Sequence, residues 1–116
     1  MDDLYKLRQY DKHTAVVFQT PSLMNQTEVE RIRGDVLRLV DQEKRTHLVL
    51  DFDKVEYISS AVLGLILSLN KKLTALGAGG SLTLCGLGPK LIELLKISRL
   101  DRLLTIKPTR KEAIAT

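Results

Sequence analysis

Apolar positions along the chain change their period several times, and each change marks an element. Leu4, Tyr5, Leu7 and Tyr10 partly alternate with Lys6 and Arg8, and the β-branched run TAVVFQT follows from Thr14 to Thr20; both read as strands. Only Asp11, Lys12 and His13 separate them, short enough for a hairpin, so the two strands are expected to be antiparallel neighbours with His13 solvated at the turn. After Pro21 the connector PSLMNQ leads to Thr27, which with Glu30 forms a TEVE capping box that announces a helix. Val29, Ile32, Val36, Leu39 and Val40 then recur at helical spacing, the stripe of a helix laid on a sheet. Gly34 lies inside that helix, either as a weak point or as the seat of a close contact.

HLVLDF, from His47 to Phe52, is apolar without alternation, as in a central strand covered on both faces; His47 at its start is expected to bond to backbone. The chain then runs through DFDKVEYISSAVLGLIL, Asp51 to Leu67, where the strand ends, two serines occupy a bend and an apolar helix begins. Val62, Leu65, Ile66, Leu69, Leu73 and Leu76 form the buried stripe of a helix from about Ala61 to Leu76, closed by the glycines of GAGG. Leu63 and Leu67 fall more than ~100° from the centre of that stripe, so they need cover from a neighbouring helix or from a protein partner.

SLTLCG, from Ser81 to Gly86, is a short strand in which Cys85 is a half-buried filler. Gly88-Pro89 starts a helix filled on one side by Leu91, Ile92, Leu94 and Leu95, after which Ile97, Leu100, Leu103 and Leu104 carry the chain back to the sheet. LLTIKP is a last strand, and the TRKE box from Thr109 to Glu112 opens a terminal helix. Strands joined through helices imply parallel pairing, so the fold class is α/β with a mixed sheet of about five strands and about four helices. With neither an internal repeat nor a linker, residues 1–116 are expected to form one domain.

Composition removes several function classes. The chain is 44% apolar and 28% charged, which suits an ordinary globular protein and neither a disordered nor a fibrous one. A single cysteine and an opening MDDLYKL without an apolar leader point to the cytoplasm, and the longest apolar run, AVLGLIL, is far below the ~20 residues of a membrane span. The net charge of +4 is C-terminal in origin: residues 1–85 carry 11 basic and 11 acidic side chains, residues 86–116 carry 7 and 3. No aromatic residues interleave with those bases, so they are read as a solvated helix face and direct nucleic-acid binding is not expected. His13 and His47 have no Cys, His or acidic cluster around them in sequence, so neither a metal site nor a cofactor is specified.

The bend at Ser59-Ser60 is where chemistry is concentrated. A serine ahead of a helix meets N–H groups with no intrahelical partner, at an end whose dipole favours anions, so the pair reads either as a helix cap or as a phosphoacceptor. Enzyme chemistry fits poorly, since there is no GxSxG elbow, no GxxxxGK loop and no histidine partner for either serine.

Over nearly its whole length the chain resembles STAS domains, the class of bacterial anti-sigma factor antagonists and related regulatory modules. The resemblance rests most on LVLDFDKVEYISSAVLGLIL, which is similar to the family's strand, hydrophobic link, DSSGLG and aliphatic helix, and next on GGSLTLCGLGPKLIELLKISRLDRLLTIKPTRKEA. It lays DSSGLG on Ser59, Ser60, Ala61, Val62, Leu63 and Gly64, which makes Ser60 the counterpart of the phosphorylated serine. Ser59 stands where the family has Asp and Val62 where it has Gly; Met24, in PSLMN against the family's GELDH, replaces an acid found in many phosphorylatable members. The resemblance implies a non-enzymatic anti-sigma factor antagonist that binds an anti-sigma factor serine kinase and is switched off by phosphorylation of Ser60. Its partner surface would comprise Ser59, Ser60, Ala61, Leu63, Gly64, Leu67, Met24 and Asn25. The alternative is a non-phosphorylated STAS scaffold that binds a stress-signalling complex or a transporter.

Overall fold

In the computed structural model, which describes residues 4–115, the expected order of elements is present with two short strands and two 3-10 turns added. The elements are β1 (Tyr5–Gln9), β2 (Thr14–Phe18), β3 (Ser22–Leu23), α1 (Gln26–Asp41), β4 (His47–Asp51), β5 (Tyr57–Ile58), α2 (Ser60–Thr74), β6 (Ser81–Cys85), α3 (Pro89–Ile97), β7 (Thr105–Lys107) and α4 (Arg110–Ile114). The main sheet has the order β1-β2-β4-β6-β7; β1 and β2 are antiparallel and every other pair is parallel. The apolar run of β4 thus lies at the centre of the sheet, as its lack of alternation requires.

Register sorts the side chains. Val16, Leu50, Leu84 and Ile106 form one cross-strand row, and Val17, Asp51, Cys85 and Lys107 the next. The first row joins the large core with the stripes of the three crossover helices: Val29, Ile32, Val36, Leu39 and Val40 of α1, Val62, Leu65, Ile66, Leu69 and Leu73 of α2, Leu91 and Leu95 of α3. Among the described residues the opposite face carries a small cluster, Ala15, Val49, Cys85 and Ala113, under α4. Cys85 is fully buried there, more than the half burial expected, and burial together with the nearby Asp51 carboxylate pushes its thiol up to about 12.

Several expectations are corrected. Helix α1 begins two residues before the anticipated box: Asn25, extended at φ −75°, accepts from the Glu28 N–H at 3.0 Å, and its carbonyl accepts from Val29. Asn is at least as good a cap as Thr, and the earlier start adds helical hydrogen bonds. Gly34 makes no close contact, since a Cβ there would meet nothing within 4 Å. Helix α2 stops at Thr74, and Gly77 at φ +63° opens a 3-10 turn, which leaves Leu76 half exposed outside the buried stripe. Ile97 and Leu103 are also exposed: Ser98 caps α3, Arg99 takes a left-handed conformation and the turn Leu100–Arg102 reverses the chain, so only Leu104 returns fully to the core.

His13 is buried, not solvated. It stands beside His47 across the β2–β4 pair, with ring centroids 6.0 Å apart, and burial, Lys12 and His47 all hold its pKa below the ordinary histidine value. His47 bonds through Nδ1 to the Ser81 hydroxyl at 2.8 Å in place of the expected backbone group, and its pKa too is lowered by burial, then by Lys12. The C-terminal bases are not all solvated either, because Arg110 lies 3.6 Å from the buried Asp51 carboxylate.

Candidate functional site

The link after β4 is held by backbone before it reaches the serines. Phe52 is fully buried and its N–H donates to Cys85, while the N–H groups of Glu56 and Tyr57 both donate to the carbonyl of Pro21. β5 then pairs in parallel with β3, Leu23 opposite Ile58, and the Ser59 N–H donates to the Leu23 carbonyl at 3.0 Å. This two-residue ladder brings the connector that holds Met24 and Asn25 alongside the serine bend. It escaped sequence reasoning because strands of two residues carry no period.

The two serines differ in what they do. Ser59 is extended at φ −86° and ψ 167°, and its Oγ accepts from the Val62 N–H at 3.3 Å, so it is the N-cap of α2. Ser60 is the first helical residue and is exposed, and among the described residues its hydroxyl has no hydrogen-bond partner. The first turn of α2 contains no acidic residue, so none of its own side chains opposes the positive end of the helix dipole beside Ser60 with a negative charge. Ser59 therefore caps the helix, and Ser60 stands exposed beside it.

Val62, at the family's Gly position, is buried in the core in ordinary helical geometry. Ala61 is exposed; Leu63 and Leu67 are half-buried on the face that Ser60 shares, and Leu63 also packs against the core. A Cβ on Gly64 would meet nothing within 4 Å, so this chain's own packing does not require glycine there. Met24 is 54% exposed, and Asn25 is occupied as the cap of α1.

One flank of the site was missed from the sequence. Tyr57 is half exposed, and Lys90, at the start of α3, donates to its hydroxyl at 3.0 Å with Nζ 4.7 Å from the ring centroid. The hydrogen bond to Tyr57 holds the Lys90 pKa above its usual value. Lys90 also lines a cavity of about 410 Å3 together with Asp53, Val55, Glu56, Gly88, Pro89 and Leu91. An aromatic residue two positions ahead of Ser59 was the available signal. Among the described residues no three His, Cys, Asp or Glu side chains are grouped to hold a metal ion, and no helix is long and apolar enough to cross a membrane.

This arrangement, a sheet covered on one face by three crossover helices with a capped serine bend at the start of the second, is that of a known class. The STAS domain family model matches residues 6–113, and the chain belongs to that family of regulatory binding proteins. BtrV of Bordetella bronchiseptica, whose name assigns it as an anti-sigma factor antagonist, is 31% identical over 93 residues, 80% of this chain and 78% of BtrV. Among solved structures, an anti-sigma factor antagonist (STAS) domain protein of Planctomyces limnophilus superposes with a TM-score of 0.82 at 21% identity, covering 96% of this chain and 94% of that one. The Bacillus cell fate determinant SpoIIAA in its phosphorylated form gives a TM-score of 0.69 at 21% identity, covering 96% of each chain. The chain thus has the fold of the STAS anti-sigma factor antagonists.

Proposed function

We propose that this protein is a single-domain, cytoplasmic, non-enzymatic anti-sigma factor antagonist that binds an anti-sigma factor serine kinase through the Ser60 end of α2 and is released when Ser60 is phosphorylated. The division of labour between the serines carries the reading: Ser59 Oγ caps the helix at 3.3 Å, which leaves Ser60 exposed at a helix N-terminus whose first turn has no acidic residue. A phosphate there adds ~1.5 to 2 negative charges, which the N–H groups of a free helix end accommodate and a packed interface need not. A like-charge pair about 5 Å apart at an effective dielectric of about 20 repels by roughly 3 kcal/mol, about two decades of affinity. The open space beside Gly64 and the exposed Met24 and Ala61 suit close approach of a partner. The relative named as an anti-sigma factor antagonist and the neighbour solved in phosphorylated form support the same reading.

The test is incubation with the cognate kinase and ATP, followed by mass spectrometry. The expected product carries one phosphate on Ser60, and Ser60→Ala carries none and stays bound; a Ser60→Ala protein that binds and signals like wild type would refute the switch. One observation favours a second reading, a scaffold that is never phosphorylated: Met24 presents an apolar surface beside the bend, and Ser59 supplies no charge for a kinase to recognise. Phosphate on Ser60 in the same experiment would exclude that version.

A further inference from the structure

The most exposed apolar side chains of the described residues lie away from Ser60. Ile97, the last residue of α3, is 74% exposed, and Leu103, in the turn that leads on to β7, is 65% exposed. That turn is not loose: Leu100 packs against the core, Leu104 is buried, the Leu103 N–H donates to Leu100, and the Leu103 carbonyl accepts from Asn70 of α2 at 3.3 Å. Its backbone therefore holds Leu103 in water, and Ile97 stands exposed at the helix end that precedes it. Lys96, Arg99 and Arg102 are exposed between and beside them, and among the described residues none has an acidic partner within 4.0 Å; the turn's only acid is Asp101. Arg99 sits at φ +60°, where glycine would fit with less strain, so the fold itself gains nothing from arginine there.

We propose that this turn is a second docking surface, and that it takes an acidic amphipathic segment of a protein partner, whose apolar face covers Ile97 and Leu103 while its carboxylates pair with Lys96, Arg99 and Arg102. Two exposed apolar anchors rimmed by cations that have no acidic partner among the described residues select for apolar residues flanked by negative charge. The surface is continuous with the face of α2 that begins at Ser60, because Ser60, Leu63, Leu67 and Asn70 follow helical spacing and Asn70 holds Leu103. Ten residues of helix place Asn70 about 15 Å from Ser60 along the axis, nearly twice the screening length of ~8 Å at physiological salt. A charge on Ser60 leaves this contact intact, so a partner anchored here stays bound whether or not Ser60 is charged. The proposal does not rest on Ser60 being phosphorylated.

The experiment uses the full chain and a fluorescein-labelled helical peptide with leucines along one face and glutamates elsewhere, followed by anisotropy. Saturable binding that weakens with salt is expected. Ile97→Ser with Leu103→Ser should reduce affinity roughly tenfold or more, and Arg99→Gly with Arg102→Gln should weaken binding and flatten its salt dependence. Ser60→Asp should change affinity less than about twofold. Melting curves establish that each variant is folded, and Arg99→Gly, which suits its left-handed backbone, keeps the test open if the apolar pair destabilises. Amide shifts on peptide addition should centre on residues 96–103. The proposal fails if the acidic peptide does not bind, if lysine-for-glutamate or scrambled peptides bind as well, if folded Ile97 and Leu103 variants bind like wild type, or if the turn binds only anionic phosphatidylglycerol vesicles.

Discussion

Replacing each serine of the bend separates the cap from the free hydroxyl. Ser59→Ala removes the acceptor of the Val62 N–H, a loss that typically costs ~1 kcal/mol within a range of about 0.5–2. Here the bond is long at 3.3 Å, and the same N–H also donates to the Ser59 carbonyl at 3.1 Å, so it is not orphaned when the hydroxyl goes. The expected cost is therefore in the lower half of the range, about 0.5–1 kcal/mol, or a drop of roughly 2–6 °C in melting temperature for a domain of this size. Ser59→Asp keeps the cap and puts a carboxylate in a first turn that has none, so it should be about 0.3–1 kcal/mol more stable than wild type at low salt, with the gain shrinking in high salt. Ser60→Ala touches an exposed hydroxyl with no partner and should stay within about 0.5 kcal/mol of wild type. Urea and thermal unfolding followed by circular dichroism measure all three. If Ser60→Ala is the destabilised protein and Ser59→Ala is neutral, the serine roles are exchanged and the case for Ser60 as the reactive group collapses.

Other consequences concern the frame around the site. Gly34→Ala lies on an exposed helical position where the new methyl meets nothing within 4 Å, and should stabilise by up to ~1 kcal/mol in urea unfolding; a loss of stability would contradict that open space. Gly86→Ala should cost about 2–4 kcal/mol, because Gly86 is at φ +70° and a Cβ would lie 2.8 Å from Asp51 Oδ1 and 2.9 Å from the Asp53 nitrogen; unchanged stability would contradict that packing. His13 and His47 both have folded pKa values below the ordinary 6.5, so the unfolded chain binds more protons in the window beneath it. Stability should be flat with respect to these groups above about pH 7 and fall as pH drops below about 6.5, by at most ~1.4 kcal/mol per pH unit for each histidine. His13→Gln should shallow that slope in urea midpoints taken between about pH 5 and 8, and an unchanged slope would remove His13 from the effect.

The order of elements and the buried stripes were legible in the sequence because they are local. Period and hydrophobicity within a dozen residues mark α1, α2 and the β2, β4 and β6 runs, and the Thr109 cap of α4 is where the TRKE box put it, accepting from Glu112 at 3.2 Å. The strand, serine bend and helix at Asp51 to Leu67 carried the family resemblance for the same reason. What the tertiary structure decided depends on neighbours distant in sequence. The β3–β5 ladder joins residues 22–23 to 57–58, and only that pairing sets Met24 and Asn25 beside the serines. His13 is buried because parallel pairing of β2 with β4 stands it against His47. Ile97 and Leu103 have the sequence of core residues yet remain in water, since the left-handed Arg99 and the turn after it are fixed by what packs behind them. Which serine caps and which stays free followed from the backbone of Ser59, drawn into extended geometry by its bond to Leu23, a constraint from a strand thirty-six positions earlier that no local pattern could express.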